Sequence, residues 1–337
     1  MRELVVISGK GGTGKTSITA SLAVLSGRCV VADCDVDAAD LHLVLSPQII
    51  ERREYYSGHH AVIRPDACTG CGSCMAHCRF GAIRSLSAPD ELGGSFADAR
   101  YDCQSCDYCR RSCPAQASEV IRALTEAVGT ARARFGVDPI ACEGCGVCVR
   151  VCPQQAIDFP ERLCGEWFIS RTRCGPMVHA RLGIAQGNSG RLVSLVRAQA
   201  RRVAGEEGVE LVLADGPPGV GCPVIASVTG ASLILAVTEP TPAGEHDLQR
   251  VAQLARHFGL PLAVCVNKWD LNPGLSGRIE DWCRHHGIGM AGRVRYDRGV
   301  TRAQIERQAV VESQAAGGVA DDIRALWAAL QSALAST

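Results

Sequence analysis

Short apolar runs, each followed by a turn and then an amphipathic stretch, recur through the first and last parts of the chain. Residues 4–7 form an unbroken apolar run that predicts a buried strand, helical spacing over 17–25 predicts the helix after it, and 29–33 predicts a second buried strand. The rhythm resumes later, with strands expected over 166–170, 210–214, 232–237 and 262–266. Helices are expected over 190–203 and from the turn Glu239-Pro240-Thr241-Pro242 to His257. Such alternation implies an α/β fold: a doubly wound, mostly parallel sheet that binds ligands at the carboxyl ends of its strands. Near the end, Ile323, Leu326, Trp327, Leu330 and Leu334 share one helical face. Arg324 alone supplies positive charge there, so the face reads as core and not as a membrane-surface helix.

Between 63 and 164 the rhythm stops and the sequence becomes rich in turns and cysteine. Removing that stretch leaves an ordinary length for one α/β domain. The expected organisation is therefore a domain built from 1–62 and 165–337, interrupted by an insertion over 63–164. Composition agrees with a folded chain, since 337 residues with 47% apolar content can bury a full core. The net charge of zero gives no global attraction to nucleic acid or to an anionic membrane. No run approaches the roughly 18 apolar residues of a membrane span, and Met1 leads almost directly into the first strand, so a cytoplasmic protein is expected. Nineteen cysteines in such a compartment argue for metal and against disulfides.

The first strand runs into Gly9-Lys10-Gly11-Gly12-Thr13-Gly14-Lys15-Thr16-Ser17. In the frame Gly9-x-x-x-x-Gly14-Lys15-Thr16, backbone N–H groups close around a polyphosphate, Lys15 reaches the β- and γ-phosphates and Thr16 holds Mg²⁺. The helix that follows points its positive end at the phosphates. Lys10 is extra to this frame. The chain has three lysines, Lys10, Lys15 and Lys268, and all lie in nucleotide-type motifs, whereas every other basic residue is arginine or histidine. Asp35 follows the second strand and Asp215 ends the strand over 210–214, positions suited to organising Mg²⁺ and the attacking water. Asn267-Lys268-x-Asp270 spells a guanine-recognition motif.

Twelve cysteines repeat one spacing three times: Cys68, Cys71, Cys74, Cys78; then Cys103, Cys106, Cys109, Cys113; then Cys142, Cys145, Cys148, Cys152. Three thiolates so spaced wrap three corners of an iron–sulfur cubane while the fourth reaches a neighbouring cluster. Zinc is the alternative, but its sites usually join two separated cysteine pairs. The middle copy continues into a helical pattern at Val120, Ile121, Leu124 and Val128, and three motifs cannot exchange ligands in pairs. It closes on itself, recruits Cys164 or Cys174, or pairs across a dimer; a third cluster is expected there, with zinc or an empty site as alternatives. Cys29, Cys34, Cys265 and Cys283 read as core, and Cys222, seven positions after Asp215, as either a small buried residue or a metal ligand.

The loop over 9–16 resembles the deviant P-loop of the MinD/ParA/Mrp group, the CobQ/CobB/MinD/ParA nucleotide-binding domain. That resemblance implies ATP as nucleotide, Lys10 reaching a partner's nucleotide across a homodimer or related heterodimer, a switch role for Asp35, and Asn267 on adenine. The first and third cysteine motifs resemble a bacterial two-cluster ferredoxin. The resemblance implies one 4Fe-4S cluster on Cys68, Cys71, Cys74 and Cys152 and another on Cys142, Cys145, Cys148 and Cys78. With Cys164-Gly165-Glu166, 175–180 and Gly221-Cys222-Pro223, nearly the whole chain is similar to MinD-superfamily ATPases containing an inserted ferredoxin domain. Such a protein is expected to couple ATP hydrolysis to electron transfer, with a redox partner. The alternatives are an Mrp-type cluster carrier serving an apo-acceptor protein, or a MinD/ParA-like positioning ATPase with a redox-sensing module.

Overall fold

A computed structural model describes residues 1–86, 135–183, 189–314 and 317–336. The elements in chain order are β1 (Arg2–Ser8), α1 (Lys15–Leu25), β2 (Val30–Asp33), α2 (Leu41–Leu45), β3 (Gln48–His59), β4 (Val62–Ile63), α3 (Ser73–Ala76) and β5 (Ile83–Ser85). Next come β6 (Phe135–Val137), α4 (Val147–Arg150), β7 (Ile157–Asp158), β8 (Glu161–Thr172), β9 (Gly175–Leu182), α5 (Ser189–Glu207), β10 (Leu211–Pro218) and α6 (Cys222–Val228). Last are β11 (Leu233–Thr238), α7 (Pro242–His257), β12 (Leu262–Asn267), α8 (Pro273–His285), β13 (Gly289–Val294), α9 (Gly299–Ile305) and α10 (Gly317–Ala335). The middle cysteine motif, Cys103 to Cys113, lies outside the described residues.

The chain divides into two compact units, Met1–Tyr55 with Cys164–Thr337, and Tyr56–Leu163. The sequence pattern put these boundaries at 62/63 and 164/165. The division falls earlier on the first side because β3, a 12-residue strand with no apolar alternation to announce it, runs from one unit into the other.

The larger unit carries a nine-stranded sheet in the order β13-β12-β11-β1-β10-β2-β9-β8-β3. The pairs from β13 through to β9 are parallel, whereas β8 and β9 pair antiparallel with Ile169 opposite Val178. The strand expected over 166–170 is thus the middle of a longer arm, and its partner β9 was not expected. Alternation along β1 splits the core into two layers, because successive side chains point to opposite faces. Val5 and Ile7 pack with Leu192 and Val196 of α5, Leu248 of α7 and Ile279 of α8. Leu4 and Val6 pack with Ile18 and Leu22 of α1 and with Ile323, Leu326 and Leu330 of α10. The C-terminal helix therefore buries the face the sequence marked, and among the described residues no helix is long and apolar enough to cross a membrane. Cys29, Cys34, Cys265 and Cys283 are buried in these layers, whereas Cys222 is exposed, against its reading as a small buried residue.

Among its described residues the smaller unit has two antiparallel ribbons, β4 with β7 and β5 with β6. Two short helices among its described residues repeat one design: α3 begins after Gly72 at φ 75° and α4 after Gly146 at φ 70°. Each glycine opens a turn that carries the cysteines of its motif from loop to helix. Cys74, Cys142, Ile83, Phe135 and Ile157 form a shared core, so the repeats fold against each other. The Ser73 hydroxyl donates across them to the Val151 carbonyl at 3.1 Å.

Candidate functional site

The carboxyl ends of β1, β2, β10 and β12 meet around a cavity of about 590 Å³ lined by Gly11, Gly12, Thr13, Gly14, Lys15, Thr16 and Ser17, with Asp35 and Asn267. β1 delivers the glycine loop directly, and α1 begins at Lys15 with Gly14 as its cap at φ 85°. Gly12 also has positive φ, at 80°. Gly9 packs where a Cβ would meet the Cβ of Asp247 at 2.2 Å, and Gly9 and Lys10 line a neighbouring small cavity.

Lys15 is buried among carboxylates. Its ammonium lies 3.0 Å from Asp215 Oδ1 and 3.4 Å from Asp35 Oδ2. Burial alone would lower its pKa, but Asp215 and then Asp35 outweigh that, and the net displacement is upward, so Lys15 stays charged. Asp35 is displaced upward, by burial first, with Lys15 opposing and Asp215 adding to the shift. Asp33, wholly buried, is pushed well above the carboxylate range by burial and then by Asp215. Its Oδ1 accepts the Asp35 N–H at 3.2 Å, which fixes the loop that presents Asp35.

Asp215 is the hub. Thr16 donates its hydroxyl to Oδ2 at 2.8 Å and Thr19 donates to Oδ1 at 2.9 Å. Thr19 was not singled out in the sequence: it lies one helical turn beyond Lys15, and only the fold brings it to a residue 196 positions away. The Gly219 N–H donates to the Ser8 carbonyl at 2.8 Å, which ties the loop after Asp215 to the strand feeding the phosphate loop. Ser17 accepts from Gln304 of α9 at 2.7 Å.

Asn267 faces the phosphate loop. Its Nδ2 donates to the Thr13 carbonyl at 2.7 Å and its Oδ1 accepts the Lys268 N–H at 3.0 Å. Asp270 does not line the cavity; its Oδ1 accepts the Tyr296 N–H at 2.7 Å. Tyr296 itself lines the cavity, beside Arg295 and Asp297.

A model of the CobQ/CobB/MinD/ParA nucleotide binding domain matches residues 4–310. The chain belongs to that family. It spans nearly all of the large sheet, so the match covers the phosphate loop, Asp35, Asp215 and Asn267 together. An uncharacterized protein of Methanocaldococcus jannaschii, MJ0578, is 30% identical over 281 residues, 80% of this chain and 79% of that protein. A second from the same organism, MJ0579, is 21% identical over 126 residues, 36% of this chain and 45% of its own length. Among solved structures, the septum site-determining protein MinD of Pyrococcus horikoshii OT3, complexed with Mg-ADP, has a TM-score of 0.52 at 14% identity, covering 97% of this chain and 94% of that one. A chain of the MinC:MinD cell division protein complex of Aquifex aeolicus has a TM-score of 0.50 at 14% identity, covering 98% of this chain and 96% of that one. At that identity the likeness is one of fold, the MinD/ParA-type ATPase fold.

In the smaller unit, one cavity is lined by Cys68, Cys71, Cys74 and Cys152 with Ile63, Phe135 and Ile157. Another is lined by Cys78, Cys142, Cys145 and Cys148 with Phe80, Val137 and Phe159. Each cavity thus gathers three cysteines from one motif and the last from the other. The Ala156 N–H donates to Cys152 Sγ at 3.3 Å. Cys71 and Cys145 are exposed, one in each set. Among the described residues, no three histidine, cysteine or acidic side chains converge on the position of a single metal ion. Cys164 and Cys174 are buried in the layers of the large sheet.

Proposed function

We propose that the protein is an ATP-hydrolysing iron–sulfur protein, a nucleotide-switched dimer that couples ATP turnover to electron transfer through 4Fe-4S clusters. The observation that carries this reading is the sorting of eight cysteines into two four-thiol cavities with apolar walls. A thiolate set of this kind suits an iron–sulfur cluster, and an amide N–H directed at a ligand sulfur, as from Ala156 to Cys152, is one of the contacts that tunes such a centre. When bound, the clusters would supply one-electron redox chemistry. The exposed Cys71 and Cys145 place an edge of each set toward solvent, where a redox partner can approach.

At the phosphate loop, Lys15 exchanges Asp215 and Asp35 for the β- and γ-phosphates of ATP, an exchange of one set of anionic partners for another. The Thr16 hydroxyl and the Asp215 carboxylate, 2.8 Å apart, are hard oxygen donors of the kind Mg²⁺ takes. Asp35 orients water, and Lys10 acts on the nucleotide of the second subunit. Loss of the γ-phosphate releases the loops after β2 and β10 and so changes how the subunits associate.

The test is iron and sulfide analysis of anaerobically prepared protein, with redox titration in the presence and absence of Mg·ATP. The expected result is at least eight irons per chain, reduction that accelerates with ATP turnover, and loss of turnover with full iron content in Lys10→Ala. Fewer than eight irons in intact protein would remove the two-cluster assignment. ATP-dependent release of iron to an apo-acceptor would assign the carrier function instead. The cysteine sorting adds a sharper form: Cys152→Ala should strip the Cys68 set, and Cys78→Ala the Cys142 set, each removing about four irons.

A further inference from the structure

Glu239 follows β11 on a backbone that cannot easily shift. The Thr241 N–H donates to the Glu239 carbonyl at 2.8 Å, and a Cβ on Gly244 would lie 2.3 Å from that same oxygen. The Thr241 hydroxyl in turn accepts the Gly244 N–H at 3.0 Å and caps α7. The side chain this post carries is 13% exposed, and two of the three lysines of the chain converge on it. Lys10 Nζ lies 3.4 Å from Oε2 and Lys268 Nζ lies 2.5 Å from Oε1. Lys268 also donates to the Gly12 carbonyl at 3.2 Å, so Glu239 holds the phosphate loop through Lys268 and Lys10 directly.

One carboxylate shared by two ammonium groups neutralises neither fully. The group held at the longer distance and with the greater exposure gives up least on leaving, and that is Lys10, at 36% against 28% for Lys268. We propose that Glu239 is a positioning residue that holds Lys10 back against its own phosphate loop, and that a second copy carrying ATP draws Lys10 away from it. Lys268 sets the strength of the hold by competing for the carboxylate, and it keeps Glu239 paired once Lys10 has left. The inference rests on the reading of Lys10 as acting across a dimer.

Two variants should move the equilibrium in opposite directions. Glu239→Gln frees Lys10, so the concentration of a non-hydrolysable ATP analogue that gives half-maximal dimer should fall roughly two- to fivefold, the range of a part-exposed ion pair. Lys268→Gln leaves Glu239 to Lys10 alone, so the midpoint should rise by a similar factor. Sedimentation velocity of the full-length, cluster-loaded chain reads the midpoint, and ADP affinity of the monomer is measured beside it. A merely structural role for Glu239 would weaken ADP binding and dimer formation together in both variants. That outcome, or midpoints equal to wild type in both, would overturn the proposal. If wild type stays monomeric at saturating analogue and Lys10→Ala hydrolyses ATP normally, the switched-dimer reading itself fails. If wild type dimerises while both variants keep its midpoint, only the role of Glu239 is lost.

Discussion

Alanine at three glycines of the phosphate loop should give three different costs in the nucleotide-free protein. At Gly11 the backbone φ is not positive and an added Cβ meets nothing within 4 Å, so Gly11→Ala should be near neutral, or stabilising by up to about 0.5 kcal/mol through the unfolded chain. At Gly12 there is again nothing within 4 Å, but φ is +80°, so the left-handed conformation alone costs about 1–2 kcal/mol. At Gly14 the same strain applies at φ +85°, and the Cβ would lie 2.4 Å from Asn267 Nδ2. That amide can swing away only by breaking its 2.7 Å bond to the Thr13 carbonyl, which adds about 1 kcal/mol. The total for Gly14→Ala is therefore about 2–3 kcal/mol, or roughly 5 °C in melting temperature at about 2 °C per kcal/mol for a domain of this size. Urea and thermal unfolding without nucleotide separate these costs from any clash with phosphate. Equal losses at Gly11 and Gly14, or a Gly14 variant no worse than Gly12, would refute the assignment of cost to conformation and to the Asn267 contact.

Asn267→Ala should weaken ATP and GTP to the same extent, by about fivefold for one hydrogen bond, because the side chain holds the loop at Thr13; competition titrations that show a tenfold change in the ATP/GTP ratio would put Asn267 on the base instead. His179 predicts a pH dependence. Burial, and then nearby His42, pull its pKa from 6.5 down to about 4, and Ser170 is its partner at 2.9 Å. The unfolded imidazole takes up its proton at higher pH than the folded one, so this stabilisation is fully present above pH 6.5 and is lost as pH falls through about 4. Its full size is roughly 3 kcal/mol. Urea unfolding of wild type and His179→Gln should diverge across that window, and parallel profiles would show that His179 does not titrate between folded and unfolded states.

The parallel strands β1, β2, β10, β11 and β12 were legible because buried strands leave unbroken apolar runs, as at Val5 to Ile7 and Leu233 to Val237, whereas parallel β13, Gly-Met-Ala-Gly-Arg-Val, leaves no such run and was not expected. The antiparallel edge was not legible either. β9 reads Gly-Pro-Met-Val-His-Ala-Arg-Leu, with a proline and a buried histidine where a strand is weakest in the sequence, and it forms because β8 and β2 flank it. β3 carries Glu51, Arg52, Arg53 and Glu54 in a row, a charged run that protects an edge strand from pairing with another chain and also hides it from a hydrophobicity pattern. In the site, Lys15, Thr16 and Asp215 were legible because their spacing encodes one local loop and one strand end. Thr19, Glu239 and the loop-facing turn of Asn267 were not, since each depends on contacts between segments about 200 or more residues apart that no local spacing records. The cysteine spacing marked the motifs but by itself does not say which fourth cysteine joins which three; the exchange of Cys152 and Cys78 came from the ferredoxin resemblance, and the two cavities gather the same sets.

The scarcity of lysine turns the phosphate loop into its own chemical reporter. All three side-chain amines within residues 1–337 sit at one site, with Lys10 and Lys268 partly accessible and Lys15 at 7% exposure beneath them. A mild amine-acylating reagent therefore reads nucleotide occupancy and the pairing of Lys10 against a single other kind of amine, the α-amino group at the chain's exposed amino terminus, since the remaining surface cations are guanidinium and imidazole. The same arrangement makes immobilisation or fluorescent tagging through lysine a modification of the nucleotide site itself, so labels meant to be silent belong elsewhere on this protein.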